Sequence, residues 1–173
     1  MDHVNPEEDA ATDWKTAITA VNAWRGSVLQ SFSSAEQAVS ETLLALSALP
    51  PRGPQIALRH LVGQRFQDLE DVLQAGGAFA DEGGAAATAV AAFRSHEPLR
   101  AVFAHGVAKI ALDRQGRWIV VMRVLTFRAR VAERTVHVFE QNDAETQCRE
   151  LHVASQRLCS ALAILRKVVQ PLS

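Results

Sequence analysis

Apolar residues follow helical spacing up to residue 105 and again from residue 148, and between them, over about residues 107–139, they alternate as strands do. In the first stretch Trp14, Ile18, Val21 and Val28, with Trp24 widening the stripe, predict a helix starting near Thr12. Ser33-Ser34-Ala35-Glu36 is a capping-box pattern and predicts a new helix from Ala35 through Leu46, with Val39 and Leu43 inward. A break there is expected because an unbroken helix to Leu49 would reach about 55 Å, long for one compact domain. Gly26 adds a candidate kink. The breaker Leu49-Pro50-Pro51-Arg52-Gly53-Pro54 follows, and then Leu58, Leu61, Val62, Phe66, Leu69, Val72 and Leu73 predict a helix that ends at Gly76-Gly77. Asp81-Glu82-Gly83-Gly84 precedes the alanine-rich helix Ala85 to Arg94, and a short helix Pro98 to His105 comes next.

From Val107 the period falls to two. Val107 to Leu112, the turn Asp113-Arg114-Gln115-Gly116 and Trp118 to Phe127 predict a β-hairpin, with Thr135 to Phe139 as a candidate third strand. Trp118, Val120, Met122 and Val124 share one strand face; Ile119, Val121, Leu125 and Phe127 share the other with Arg123. Two largely apolar faces imply that one packs on the helices and the other meets something else, such as a partner subunit. Asn142 or Asp143 is the expected cap of a last helix with the stripe Cys148, Leu151, Leu158, Leu162, Leu165 and Val169, interrupted by Ser155. The expected fold is therefore mainly α: an antiparallel four- or five-helix bundle, with a hairpin or three strands inserted before the last helix.

At 173 residues, 48% hydrophobic and 21% charged, the chain fits one domain at 13–173 behind an acidic tail at 1–12 that is expected to be disordered. No apolar run is long enough to span a membrane, and the acidic start lacks the basic region of a signal peptide, so a cytoplasmic protein is expected. Cys148 and Cys159 lie eleven residues apart on one predicted helix, about 16 Å, too far for a disulfide within it. No histidine or cysteine cluster has zinc-ligand spacing, and no phosphate loop, dinucleotide fingerprint or nucleophile elbow is present, so neither a metal nor a cofactor is expected. Asp68, Glu70 and Asp71 read as the exposed face of the third helix, with Arg59, His60 and Arg65 as further surface residues of it, and His152 as a solvated position one turn from Arg149.

Charge is unevenly placed. Residues 1–13 carry Asp2, Glu7, Glu8, Asp9 and Asp13 with no lysine or arginine. Residues 106–137 carry Lys109, Arg114, Arg117, Arg123, Arg128, Arg130 and Arg134 against Asp113 and Glu133. That excess is either a solvated hairpin face or a polyanion-binding patch, for which Arg114, Arg117, Arg128 and Arg130 are the candidate nucleic-acid contacts.

Beside it stands Leu99-Arg100-Ala101-Val102-Phe103-Ala104-His105-Gly106, preceded by Pro98. Proline suits a first turn and glycine the left-handed position past a helix end, which places His105 at the helix C-terminus, where the dipole favours a cation. The arginine–histidine spacing carries little alone; its helical setting marks it, whereas Arg130 and His137 fall in a strand-like stretch. A helical bundle with this Arg-x4-His segment, then glycine, a hairpin and a closing helix, resembles the HEPN superfamily of prokaryotic ribonucleases and related binding domains over residues 33–169. The resemblance implies metal-independent RNA cleavage. His105 would move a proton at the ribose 2′-hydroxyl or the leaving oxygen, and Arg100 would neutralise the phosphate. Residues five apart on a helix project about 140° from each other, so Arg100 and His105 of one copy do not converge, and the family's face-to-face homodimer would supply a composite site. The alternative is a non-catalytic helical dimer that binds a protein, an antitoxin among them, a nucleotide or a nucleic acid. Ala101, standing where the family commonly has a polar residue, favours this second reading. There Arg100 would pair with Glu36 or Glu41, and His105 would cap helix carbonyls.

Overall fold

A computed structural model describes residues 6–128 and 130–170, with the side chains of 6–11 and 128 left out of the description. Among the described residues five α-helices and one antiparallel sheet occur in the order α1 (Pro6–Ser47), a 3-10 turn (Gly53–Gln55), α2 (Val62–Leu73), α3 (Ala80–Arg94), α4 (Glu97–His105), β1 (Val107–Leu112), β2 (Trp118–Arg128), β3 (Val131–Glu140) and α5 (Gln141–Val169). The strands are ordered β1-β2-β3, so the mainly α chain does insert a three-stranded sheet before its last helix. No helix among the described residues is long and apolar enough to cross a membrane.

The expected break at Ser33–Glu36 is absent. α1 runs unbroken for 42 residues, about 63 Å. Val28, Phe32, Ala35, Val39, Leu43 and Leu46 are all buried at helical spacing across the capping box. Ending the helix at Ser33 would rotate the second half of that stripe out of register, so continuous burial outweighs a local cap. Gly26 brings no break either. Residues 1–5 of the acidic segment lie outside the described residues. The backbone of Pro6 onward is already helical, in keeping with a proline and acidic residues in a first turn, where the dipole favours negative charge.

Four other boundaries differ from the pattern reading. α2 begins only at Val62, which leaves Leu58, Arg59, His60 and Leu61 before it and exposed. Asp81 and Glu82 lie in the first turn of α3 rather than ahead of it, and Gly83 is buried there under Leu73. α5 follows β3 directly, so Asn142 and Asp143 sit inside its first turn rather than ahead of it. Gly106 does not adopt the left-handed conformation; only Gly76 and Gly116 do among the described glycines. Its requirement is steric, since a Cβ there would sit 2.4 Å from the carbonyl oxygen of Val102.

The chain forms two compact units, the first made of residues up to Leu29 and Pro98–Glu150, the second of Gln30–Glu97 and Leu151 onward. In the first, the face of β2 formed by Trp118, Val120, Met122 and Val124 is buried, as are Trp24 and Phe103. Trp24 is the hub: its ring lies 4.9 Å from Phe103, 5.3 Å from Trp118 and 5.3 Å from Phe139. In the second unit Phe93 stands 5.7 Å from both Phe32 and Phe66, and Ser155 of α5 donates to the Ser31 carbonyl at 2.8 Å, so the polar break in the last stripe is a buried hydrogen bond. Of the acidic group of α2, Asp71 is exposed as expected, but the other two are not. Asp68 is buried and ion-paired with Arg59, which folds back onto it, and Glu70 is ion-paired with Arg94. Arg65 is half-buried and donates to Ser40 Oγ at 2.6 Å.

Candidate functional site

α4 ends where the sheet begins, and that junction positions the site. The last carbonyls of a helix lack intrahelical partners. Arg25 of α1 supplies one, donating from Nε to the Phe103 carbonyl at 2.8 Å, and Gly106 N–H donates to Val102 at 2.8 Å. With Val102 and Phe103 buried, the final turn is fixed and His105 is left exposed at its end.

The outer face of the sheet starts beside it. Antiparallel register sets Val107 opposite Arg123, Arg123 opposite Val136, and Leu125 opposite Arg134. His105, Val107, Arg123, Leu125, Arg134 and Val136, with Val124 and Thr135, line one open groove of about 670 Å³. Its lining holds two guanidinium groups and an imidazole and no carboxylate. Around it the face carries exposed apolar side chains, Phe127 73% and Val138 61% exposed, with Lys109 and Glu140 as its further charges.

Arg100 is half-buried on α4, is already engaged within the chain, and does not line this groove. The four other arginines expected at a nucleic-acid surface are split between the two ends of β2, about 33 Å apart. Arg114 and Arg117 belong to the β1–β2 turn, and Arg117 is ion-paired with Asp113 at 2.8 Å. The backbone N–H of Arg117, and then its guanidinium, hold the Asp113 carboxyl below its usual range. At the far end Arg128 closes β2, its side chain outside the description, and Arg130 takes a left-handed φ of 68° in the turn to β3.

The groove's own arginines, Arg123 and Arg134, belong to the basic excess of residues 106–137, where nothing in the sequence singles them out as contacts. Arg123 was visible on the outer strand face; Arg134 joins it only through the pairing of β2 with β3. Among the described residues no three His, Cys, Asp or Glu side chains gather as a metal centre requires. A second open groove, about 530 Å³, lies in the other unit, lined mainly by α3 and α5 alanines, Ile164 and Leu165, with Glu82 and Arg157 supplying opposite charges. No protein-family model, curated protein or solved structure matches the chain.

Proposed function

We propose that the chain is an RNA-binding protein of the HEPN-like kind, and that the groove between the end of α4 and the outer sheet face holds the phosphate backbone. One observation carries the reading: His105, Arg123 and Arg134 share a solvent-open groove without a carboxylate in its lining. Uncompensated cations attract a polyanion and release its counterions. Thr135 and the apolar walls suit sugar and base contacts, with Phe127 on the same face for stacking.

Fluorescence anisotropy of labelled single-stranded RNA in excess EDTA tests this. Arg123→Glu should weaken binding about tenfold or more and lower the salt slope by about one unit. RNA affinity that ignores this substitution overturns the assignment.

Metal-independent cleavage is the second reading, favoured by the exposure of His105 in the same groove as Arg123. Arg123 would then neutralise the phosphate in the role expected of Arg100. The ribose 2′-oxygen attacks phosphorus, the P–O5′ bond breaks, and a 2′,3′-cyclic phosphate and a 5′-hydroxyl result, with His105 moving a proton at one of those two oxygens. Cleavage should survive EDTA, spare DNA, which lacks the 2′-hydroxyl, and disappear in His105→Ala. If RNA is bound and never cut, binding alone is the function. A protein partner of the antitoxin type would cover the same groove and compete with RNA.

A further inference from the structure

β3 is an edge strand of ten residues, and it is exposed along most of its length. Its side away from β2 has no backbone partner among the described residues. Open edges of this length invite another strand. Arg134 and Glu140 point to the outer face, and neither is ion-paired among the described residues. Val136 and Val138 lie between them, each 61% exposed.

We infer that the occupant of this edge is β3 of a second copy, paired antiparallel about a twofold axis through His137. A strand meeting its own copy in this way can centre only on a residue, because directly opposed residues must present their amide groups to the same side. The candidate centres differ in what they juxtapose. Centring on Val136 sets Arg134 against Val138 and Ala132 against Glu140. Centring on Thr135 sets Arg134 against Val136 and leaves Glu140 beyond the paired stretch. Centring on His137 sets Arg134 opposite Glu140 twice over and Val136 opposite Val138 twice over, with Thr135 against Phe139. It is the register that answers both outer-face charges and joins the apolar positions across the seam.

The twofold places both outer faces on the same side of a continuous six-stranded sheet. The two grooves then lie on one surface, and the five donors of each Arg134 guanidinium can serve both the neighbouring carboxylate and the groove. The pairing itself does not depend on what the groove binds.

Sedimentation velocity over a concentration series reads the association, and charge exchange tests the register. Arg134→Glu and Glu140→Arg should each weaken self-association about tenfold, by setting like charges opposite each other, and the double variant should restore it. Glu140 lies outside the groove lining, so RNA binding by Glu140→Arg separates failure of the pairing from failure of the RNA reading. In a Cys148→Ser, Cys159→Ser background, His137→Cys should give a covalent dimer on mild oxidation, since only the residue on the axis faces itself at disulfide distance. A monomer at all concentrations, no rescue by the double exchange, or faster cross-linking by Thr135→Cys or Val136→Cys overturns the proposal.

Discussion

The indole N–H of Trp24 donates to the carbonyl oxygen of Ala144 at 3.0 Å, joining residues 120 positions apart inside the first unit. Ala144 lies in the first turn of α5, a place where neither partner could be replaced by solvent, since both are buried. Trp24→Phe keeps most of the ring contacts but removes the donor, leaving the Ala144 carbonyl with its bond inside α5 alone, and should cost about 0.5–1.5 kcal/mol. Trp24→Ala also opens a cavity among Phe103, Trp118 and Phe139, and should cost about 3–5 kcal/mol. Urea unfolding followed by circular dichroism checks both; equal losses would mean that the hydrogen bond, not the packing, dominates.

The sheet was legible because its alternation is local: each face of β2 can be read from residues two apart, and the buried set Trp118, Val120, Met122 and Val124 is the one that the pattern names. α1 was misread for the opposite reason. The capping box at Ser33–Glu36 is a four-residue signal, whereas the stripe that overrules it needs Val28 through Leu46 to be considered together. The groove lay further out of reach. Nothing local joins His105 to Arg134; the link passes through the register that sets Leu125 opposite Arg134. Asp68 was hidden likewise, because its ion-pair partner Arg59 comes from outside the helix.

Glycine substitutions separate steric need from conformational looseness. Gly26 in α1 and Gly84 in α3 have open space where a Cβ would stand, so Gly26→Ala and Gly84→Ala should each stabilise by about 0.5–1 kcal/mol. Gly106→Ala meets the Val102 carbonyl at 2.4 Å and should destabilise instead, while disturbing the turn that carries His105. Thermal melts of the three variants decide the matter: a neutral Gly106→Ala would mean that the α4–β1 junction yields easily.

The β1–β2 turn should weaken in acid. Asp113 accepts from Gln115 N–H at 2.8 Å, Arg117 N–H at 2.9 Å and the Arg117 side chain at 2.9 Å. These bonds hold its carboxyl below the ordinary range, the backbone bond from Arg117 most of all. A carboxylate whose folded pKa is depressed stabilises above its unfolded value, about 3.9, and that contribution disappears as the pH falls through the folded one. The melting-temperature gap between the parent and Asp113→Asn should therefore stay constant from about pH 7 to pH 5 and close below about pH 4. A gap that persists unchanged at pH 2 would show that the carboxylate charge is not what the turn uses.

Cys148 and Cys159 should behave as protonated, slow-reacting thiols. Both are half-buried, and burial pushes each thiol above its usual range; Arg149 beside Cys148, and the Ser155 side chain and then Arg166 beside Cys159, oppose that shift without reversing it. Cys159 also lies 3.7 Å from the Ser34 carbonyl, as a weak donor that thiolate formation would remove. The thiolate is the species that alkylates, so labelling of the folded protein should rise only above the pH at which a free cysteine, pKa about 8.5, already reacts. Iodoacetamide labelling at pH 7.5, read by intact mass, should be slow for both sites and reach the free-cysteine rate in urea. Rapid native labelling at that pH would mean that the neighbouring polar groups outweigh burial and that one of the two is a reactive thiol.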